Sequence, residues 1–180
     1  MLSRYKLYFQ KGSGSIIDSD AQWGIVCCKV PFKVGGKTKD LPKRNWYDEQ
    51  GDDAYIPNKL MFEGMDVEFE LAYHGTELAS NPFDLSLAFT NINNFKKWLT
   101  GIDNETSYPN GTGAELKIYS PYSSIGRQGC YLLEISDEDP HVQTLQKNGS
   151  LYNENVVTFK VKFRVTDPVT NVQLSSSTSS

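Results

Sequence analysis

Few side chains in this sequence can move protons or bind a metal near neutral pH. The 180 residues include two histidines, His74 and His141, and three cysteines, Cys27, Cys28 and Cys130. Nucleophilic catalysis needs a thiol or hydroxyl held beside a base. Cys130 with His74 or His141 is the one pairing of types that offers it, and it would suit a hydrolase. Cys130 opens the apolar run CYLLEI, however, where a free cysteine is ordinarily a core residue. Neither histidine stands in a His-x-x-x-His spacing and no Cys-x-x-Cys occurs, so zinc has no ligand set. Asp48, Glu49, Asp52 and Asp53 crowd together like a calcium loop, but the EF-hand ligand order and its closing Glu are missing. A solvated acidic turn is the simpler reading. The sequence also lacks the Gly-x-Ser-x-Gly elbow and the phosphate-binding Gly-x-x-x-x-Gly-Lys loop. The expectation is no catalytic residue, no metal ligand and no cofactor.

Three groups of residues have the chemistry of contact surfaces instead. Asp66, Glu68 and Glu70 alternate along one strand-like segment, and Lys160, Lys162 and Arg164 alternate along another. Each stripe alone reads as the polar face of a sheet. A sharper expectation is that the two meet, across the sheet of one chain or between neighbouring subunits, where opposite charges fix register and partner. The third group is Trp46, Tyr47 and Tyr55, set among charges in the long polar stretch from Lys33 to Pro57. A loop of that length is uncommon without a purpose, and aromatics among cations are frequent interface anchors.

Alternation and helical spacing identify the elements that position these groups. The stretch NINNFKKWLTG, from Asn91 to Gly101, places Ile92, Phe95 and Leu99 on one helical stripe, widened by Trp98. Thr90 or Asn91 is the expected N-cap, and Gly101 the expected stop. The preceding NPFDLSLAF fits a strand, by alternation of Leu85, Leu87 and Phe89, or a lead into the helix. Tyr5 to Phe9, Trp23 to Phe32, Leu60 to Tyr73, Leu116 to Tyr119, Cys130 to Ile135 and Val156 to Val165 read as strands. In the last, Val157, Phe159, Val161, Phe163 and Val165 share a face. Gly64 marks a bulge or a close backbone approach. Lys11 to Ser15, Ser120 to Gly129 and the acidic SDEDPH read as turns, and Val142 to Asn155 as a connection turning at Asn148-Gly149. One wide-faced helix needs a sheet to bury it. The class is α+β, mainly antiparallel β: a β-sandwich or partly closed barrel with one packed α-helix, in a single domain over residues 1–168. Residues 169–180, ending in SSSTSS, are expected to be unordered.

Charge and composition exclude some partners. The net charge is −4, and no basic patch offers the electrostatic footprint of a nucleic-acid binder. No stretch reaches membrane-spanning length, and MLSRYKLYFQKG lacks the apolar run of a signal peptide, so synthesis and retention in a cytoplasm are expected.

The order of these segments resembles a known family. A polar stretch ending in NWYDEQGDDAYIP precedes the acidic-faced strand LMFEGMDVEFELAY. The helix FKKWLTG follows, then LKIYSPYSSIGRQGCYLLEI and a last alternating strand running into Val-Thr-Asp-Pro. This is similar to the ring-forming N-terminal domain of the distal tail protein of long-tailed bacteriophages, whose fold is tail tube-like. Trp98 and Leu99, Leu116 to Tyr119 with Tyr131, and Gly51 to Asp53 carry the match, which spans roughly Tyr5 to Asp167. Because the sequence ends soon after the first domain, the second, often carbohydrate-binding-like domain of many such proteins is expected to be absent. The resemblance implies a non-enzymatic virion protein of a phage or prophage tail, made in the bacterial cytoplasm. As a distal tail, baseplate hub or tube-like subunit, it would be a homo-oligomer forming a ring, typically of six, around the DNA channel, alongside other tail or baseplate proteins. A competing reading is a non-catalytic ligand-binding β-sandwich, such as a carbohydrate-binding module, with Trp46, Tyr47, Tyr55 and Tyr122 as stacking platforms.

Overall fold

The computed structural model describes residues 5–32, 35–44, 47, 53–74, 84–102, 113–147 and 149–175. The elements follow in the order β1 (Tyr8–Gln10), β2 (Ile17–Asp18), α1 (Ser19–Trp23), β3 (Ile25–Cys27), β4 (Lys43–Arg44) and β5 (Asp53–Ala54). Then come β6 (Met65–Tyr73), α2 (Leu85–Thr100), β7 (Leu116–Ser120), β8 (Ile125–Lys147) and β9 (Ser150–Asp167). Seven strands make one sheet in the order β2-β1-β7-β8-β9-β6-β3, with every pairing antiparallel. β4 and β5 pair separately. The class is the expected one, mainly antiparallel β with a packed helix.

The sheet curls until its two sides approach. Tyr5, just ahead of β1, exchanges both backbone hydrogen bonds with Cys27 of β3, at 2.9 and 2.8 Å. Three residues later the same segment pairs with β7 on its other side, Tyr8 opposite Tyr119. One short stretch of chain therefore touches β3 at one margin and β7 near the other, and apart from this isolated bridge the sheet stays open.

Alternation fills the interior. Val157, Phe159, Val161, Phe163 and Val165 of β9 are all buried, as are Phe69, Leu71 and Tyr73 of β6. Leu7, Phe9, Leu116, Ile118 and Cys130 complete that side of the core, and Tyr5 packs against it. Helix α2 lays Ala88, Ile92, Phe95 and Leu99 onto this surface. Phe95 meets Phe9 edge-on at 5.7 Å and Trp23 at 5.0 Å between ring centroids. Phe9 continues to Phe163, Phe163 to Phe69, and Phe69 to Phe32. Tilted and edge-to-face contacts of this kind suit the quadrupoles of the rings. Gly64 is a close approach, as expected: a Cβ there would stand 3.0 Å from the Val165 carbonyl and 3.1 Å from the Arg164 guanidinium.

Several expectations are corrected. The helix begins at Leu85, and its N-cap is Asp84, whose carboxylate accepts from the Ser86 N–H at 2.8 Å, in place of Thr90 or Asn91. The ambiguous NPFDLSLAF stretch thus resolves, from Leu85 onward, as helix. Trp23 ends a short second helix, α1, and only Ile25 to Cys27 of its run is strand. Asp18 caps α1 by accepting from Asp20 N–H, so the sequence carried a cap signal there. Lys11 does not sit in a free turn. It is buried, with its ammonium 4.4 Å over the Trp98 ring and donating to the Trp98 carbonyl at the end of α2, where cations are favoured.

The largest correction concerns β8. It starts at Ile125, within the stretch read as a turn, and runs through SDEDPH into the supposed connection as far as Lys147; the rest of that stretch, from Ser150, belongs to β9. SDEDPH is a bulge: the register with β9 shifts between Ser136 and Asp139, and Asp137 adopts a left-handed backbone conformation (φ 57°). Pro140 is tolerated because no strand among the described residues pairs with β8 on its other side there. Residues 169–175 are not loose either. Asn171 accepts from Gly126 N–H at 2.8 Å and donates to the Ser124 carbonyl, and Leu174 is buried. Residues 176–180 lie outside the described residues.

Removing the Phe95 ring leaves a hole where Phe9 and Trp23 converge. Phe95→Ala is expected to cost about 3–5 kcal/mol of unfolding free energy in urea titrations. Asp84→Ala, losing one cap, is expected to cost about 1 kcal/mol.

Candidate interaction surface

Because side chains alternate along a strand, burying Phe69 and Leu71 of β6 and Val161 and Phe163 of β9 turns their neighbours outward. The antiparallel register then sets Asp66 opposite Arg164, Glu68 opposite Lys162 and Glu70 opposite Lys160. The two stripes meet within one chain, the first of the two arrangements anticipated. Asp66 takes both neighbouring cations: Arg164 Nη1 donates to its Oδ1 at 2.9 Å, and Lys162 Nζ stands 3.2 Å from Oδ2. These bonds, that of Arg164 first, hold the Asp66 carboxyl below the usual carboxylate range.

β8 adds a third row to this face, with Tyr131 opposite Arg164, Glu134 opposite Lys162 and Ser136 opposite Lys160. Lys160 reaches beyond Ser136 to the bulge, donating to Asp137 at 2.7 Å, and that hydrogen bond raises its pKa. On the other flank Lys29 pairs with Glu70, which raises the lysine in the same way. The basic stripe of β9 thus runs between two rows that carry carboxylates. Such exposed pairs contribute to register more than to stability.

The aromatic group is not assembled with these stripes. Trp46, with Asp48, Glu49 and Asp52, lies outside the described residues. Tyr47 and Tyr55 are fully or largely exposed in the segment around β4 and β5, beside the exposed Ile56, Leu60, Met61 and Phe62. That segment is tied back at Thr38 and Phe62, which form an isolated bridge. Tyr122, named as a stacking platform, sits on the turn between β7 and β8 with its ring 4.4 Å from that of Tyr5.

The residues considered for catalysis do not converge. Cys130 is fully buried, and desolvation pushes its thiol up to about 12. Burial likewise drives Cys27 to about 11 and Cys28 to about 12. His74 Nε2 lies 2.7 Å from Asp20 Oδ1, and His141 Nδ1 lies 3.1 Å from the Asp139 carbonyl. Among the described residues, no cluster of three His, Cys, Asp or Glu side chains could hold a metal ion. No helix among them is long and apolar enough to cross a membrane. The His74–Asp20 contact was not foreseeable, since it joins α1 to the end of β6, 54 residues apart.

Asp167 ends β9 and starts the C-terminal segment. Its carboxylate accepts from Gln128 at 2.7 Å and from the Thr170 and Val169 N–H groups. These bonds, that of Gln128 first, lower its pKa to about 2. A carboxyl whose folded pKa lies below its unfolded value stabilises the fold above the unfolded value and stops doing so as pH falls through the folded one. Asp167→Asn is therefore expected to narrow the gap in urea midpoint between pH 5 and pH 2. The raised thiols predict that iodoacetamide at pH 7.5 leaves all three cysteines intact in the native protein and alkylates them in guanidinium; mass spectrometry reads both states.

No protein-family model, no curated protein and no solved structure matches this chain.

Proposed function

We propose that this chain is a structural, non-enzymatic subunit of a bacteriophage or prophage tail, a distal tail, baseplate hub or tube-like protein that assembles with copies of itself into a ring around the DNA channel. The observation that carries this reading is the β8–β9 ribbon. β6 accompanies β9 only as far as Val157, and β7 accompanies β8 only as far as Cys130. From Val142 to Lys147 and from Ser150 to Asn155 the two strands pair with each other alone among the described residues. A two-stranded ribbon is marginal in water by itself, and its open edges are templates for pairing with another chain. Both liabilities disappear when a neighbouring subunit accepts the ribbon.

The charged face of β6, β9 and β8 is compatible with a DNA channel. Cations lining a channel would hold phosphate and slow its passage. Here carboxylates flank Lys160 and Lys162 on both sides, and Arg164 stands between Asp66 and Tyr131. Other tail or baseplate proteins are the expected further partners.

Light scattering after gel filtration, over a concentration series, followed by negative-stain imaging, tests the assembly. Rings or short tubes are expected. Replacing residues 144–153 with Asn-Gly shortens the ribbon outside the barrel, and that variant is expected to keep its far-UV circular dichroism and thermal transition while remaining monomeric. A wild-type chain that is monomeric at every concentration, or a shortened chain that still forms rings, overturns the proposal as stated.

A further inference from the structure

Arg127, near the start of β8, is carried on the inward face of the sheet. The pairings set Phe9, Ile118 and Arg127 side by side across β1, β7 and β8, and the first two are core residues. Arg127 is 8% exposed, a depth at which an arginine is ordinarily paired with a carboxylate. Among the described residues it has no ion pair, and its one hydrogen bond runs from Nη1 to the carbonyl of the adjacent Gly126, at 2.9 Å. Asp167, on the neighbouring strand, is already taken by Gln128 and by the Val169 and Thr170 N–H groups.

What remains of the guanidinium is its most directional edge. Nη1 lies on the Cδ side, so Nε–H and Nη2–H, which point the same way, are both left over. Nε is fully buried and has no hydrogen-bond partner among the described residues. Two hydroxyls stand at the same end of the sheet. Ser120 lies two residues along β7 from Ile118, on the same face, and pairs with Ile125, two residues before Arg127. Its buried oxygen accepts from Ser123 N–H at 3.4 Å, and the Ser123 hydroxyl is itself buried without a partner. All of these groups can donate, and none is a carboxylate.

The segment after β9 passes beside the guanidinium. The Gly126 carbonyl that takes Arg127 Nη1 also takes Val172 N–H, at 3.4 Å. Asn171 bonds both Gly126 N–H and the Ser124 carbonyl, and the Val172 carbonyl lies so close to Gly126 that a Cβ has no room there. One long backbone bond, Asn171 and the buried Leu174 hold this segment, so it opens locally more readily than the strand ladders and gives small solutes access.

We propose that Arg127 anchors a binding site for a small carboxylate. The two oxygens of a carboxylate match Nε–H and Nη2–H in a bidentate pair, and the serine hydroxyls donate to its remaining lone pairs. The charges balance one to one. A phosphate group carries about two negative charges near neutral pH, and Lys11, the other buried cation among the described residues, is committed to Trp98. The close cover restricts the ligand to a compact group. The site is built from elements other than the outer ribbon, so it stands whether or not the chain forms rings.

The test replaces sodium chloride with sodium acetate at constant ionic strength and neutral pH while urea titrations of the full chain follow the midpoint. The wild-type midpoint is expected to rise with acetate, because a ligand held only by the folded state shifts the unfolding equilibrium. Arg127→Met is expected to show no such rise. In chloride alone it is expected to match or exceed the wild type, since an apolar side chain replaces an uncompensated charge. Arg127→Lys keeps the charge and loses the fork, and is expected to bind carboxyl-labelled acetate about tenfold more weakly by carbon-13 NMR. Acetyl-dialanine carries the same group on a peptide terminus and separates the sources: binding of both assigns a chain end, binding of acetate alone a free acid. Midpoints that respond alike in wild type and Arg127→Met, or acetate binding equal in wild type and Arg127→Lys, overturn the proposal.

Discussion

The structure depends on the aromatic contact between Phe95 of α2 and Phe9 of β1. Phe9 touches Phe163 at the centre of the sheet, Phe163 touches Phe69, and Phe69 holds Phe32. On the helix side Phe95 and Trp98 both meet Trp23, which brings in α1. This path of rings crosses from the last strand to the first and out to both helices. Elements far apart in sequence are thus packed through a few large side chains, each burying far more area than an aliphatic one. The buried Lys11 belongs to the same arrangement, since its place over Trp98 secures the end of α2 beside Phe9.

What could be read in the sequence follows from what is buried on one side only. The alternating valines and phenylalanines of β9 and the Val67, Phe69 and Leu71 series of β6 were legible because one face is core and the other solvent. The outer half of β8 was not. Asp137 to Pro140 are exposed around the bulge, and from Val142 onward β8 pairs with β9 alone among the described residues, so no hydrophobic period marks this stretch as strand. The start of α2 failed for another reason. Leu85, Leu87 and Phe89 alternate, yet Ala88 is the residue buried there while Leu85 and Phe89 stay partly exposed. Spacing alone suited both periods, and the Asp84 cap decided between them.

The candidate surface was legible in composition and illegible in arrangement. Alternating acids and alternating cations announce two outward faces. That β6 lies beside β9 is a matter of strand order, which alternation does not encode, and β8 reaches the far side, with Glu134 and Asp137, through the β8–β9 hairpin, whose outer part carries no such alternation. Aligned this way, the positive stripe has acid neighbours on both flanks.

The single bridge between Tyr5 and Cys27 has a consequence in time. The bridge joins residues close in sequence, whereas β1 pairs with β7, whose residues 116–120 are synthesised long afterwards. During synthesis the N-terminal segment can find β3 early, but its other edge stays bare until the chain has grown past α2. Contacts of such separation are slow to form, because a long loop must be ordered before they reward it. Phe9, whose ring packs against Phe95 of α2 and Phe163 of β9, is therefore buried only after those later elements have formed.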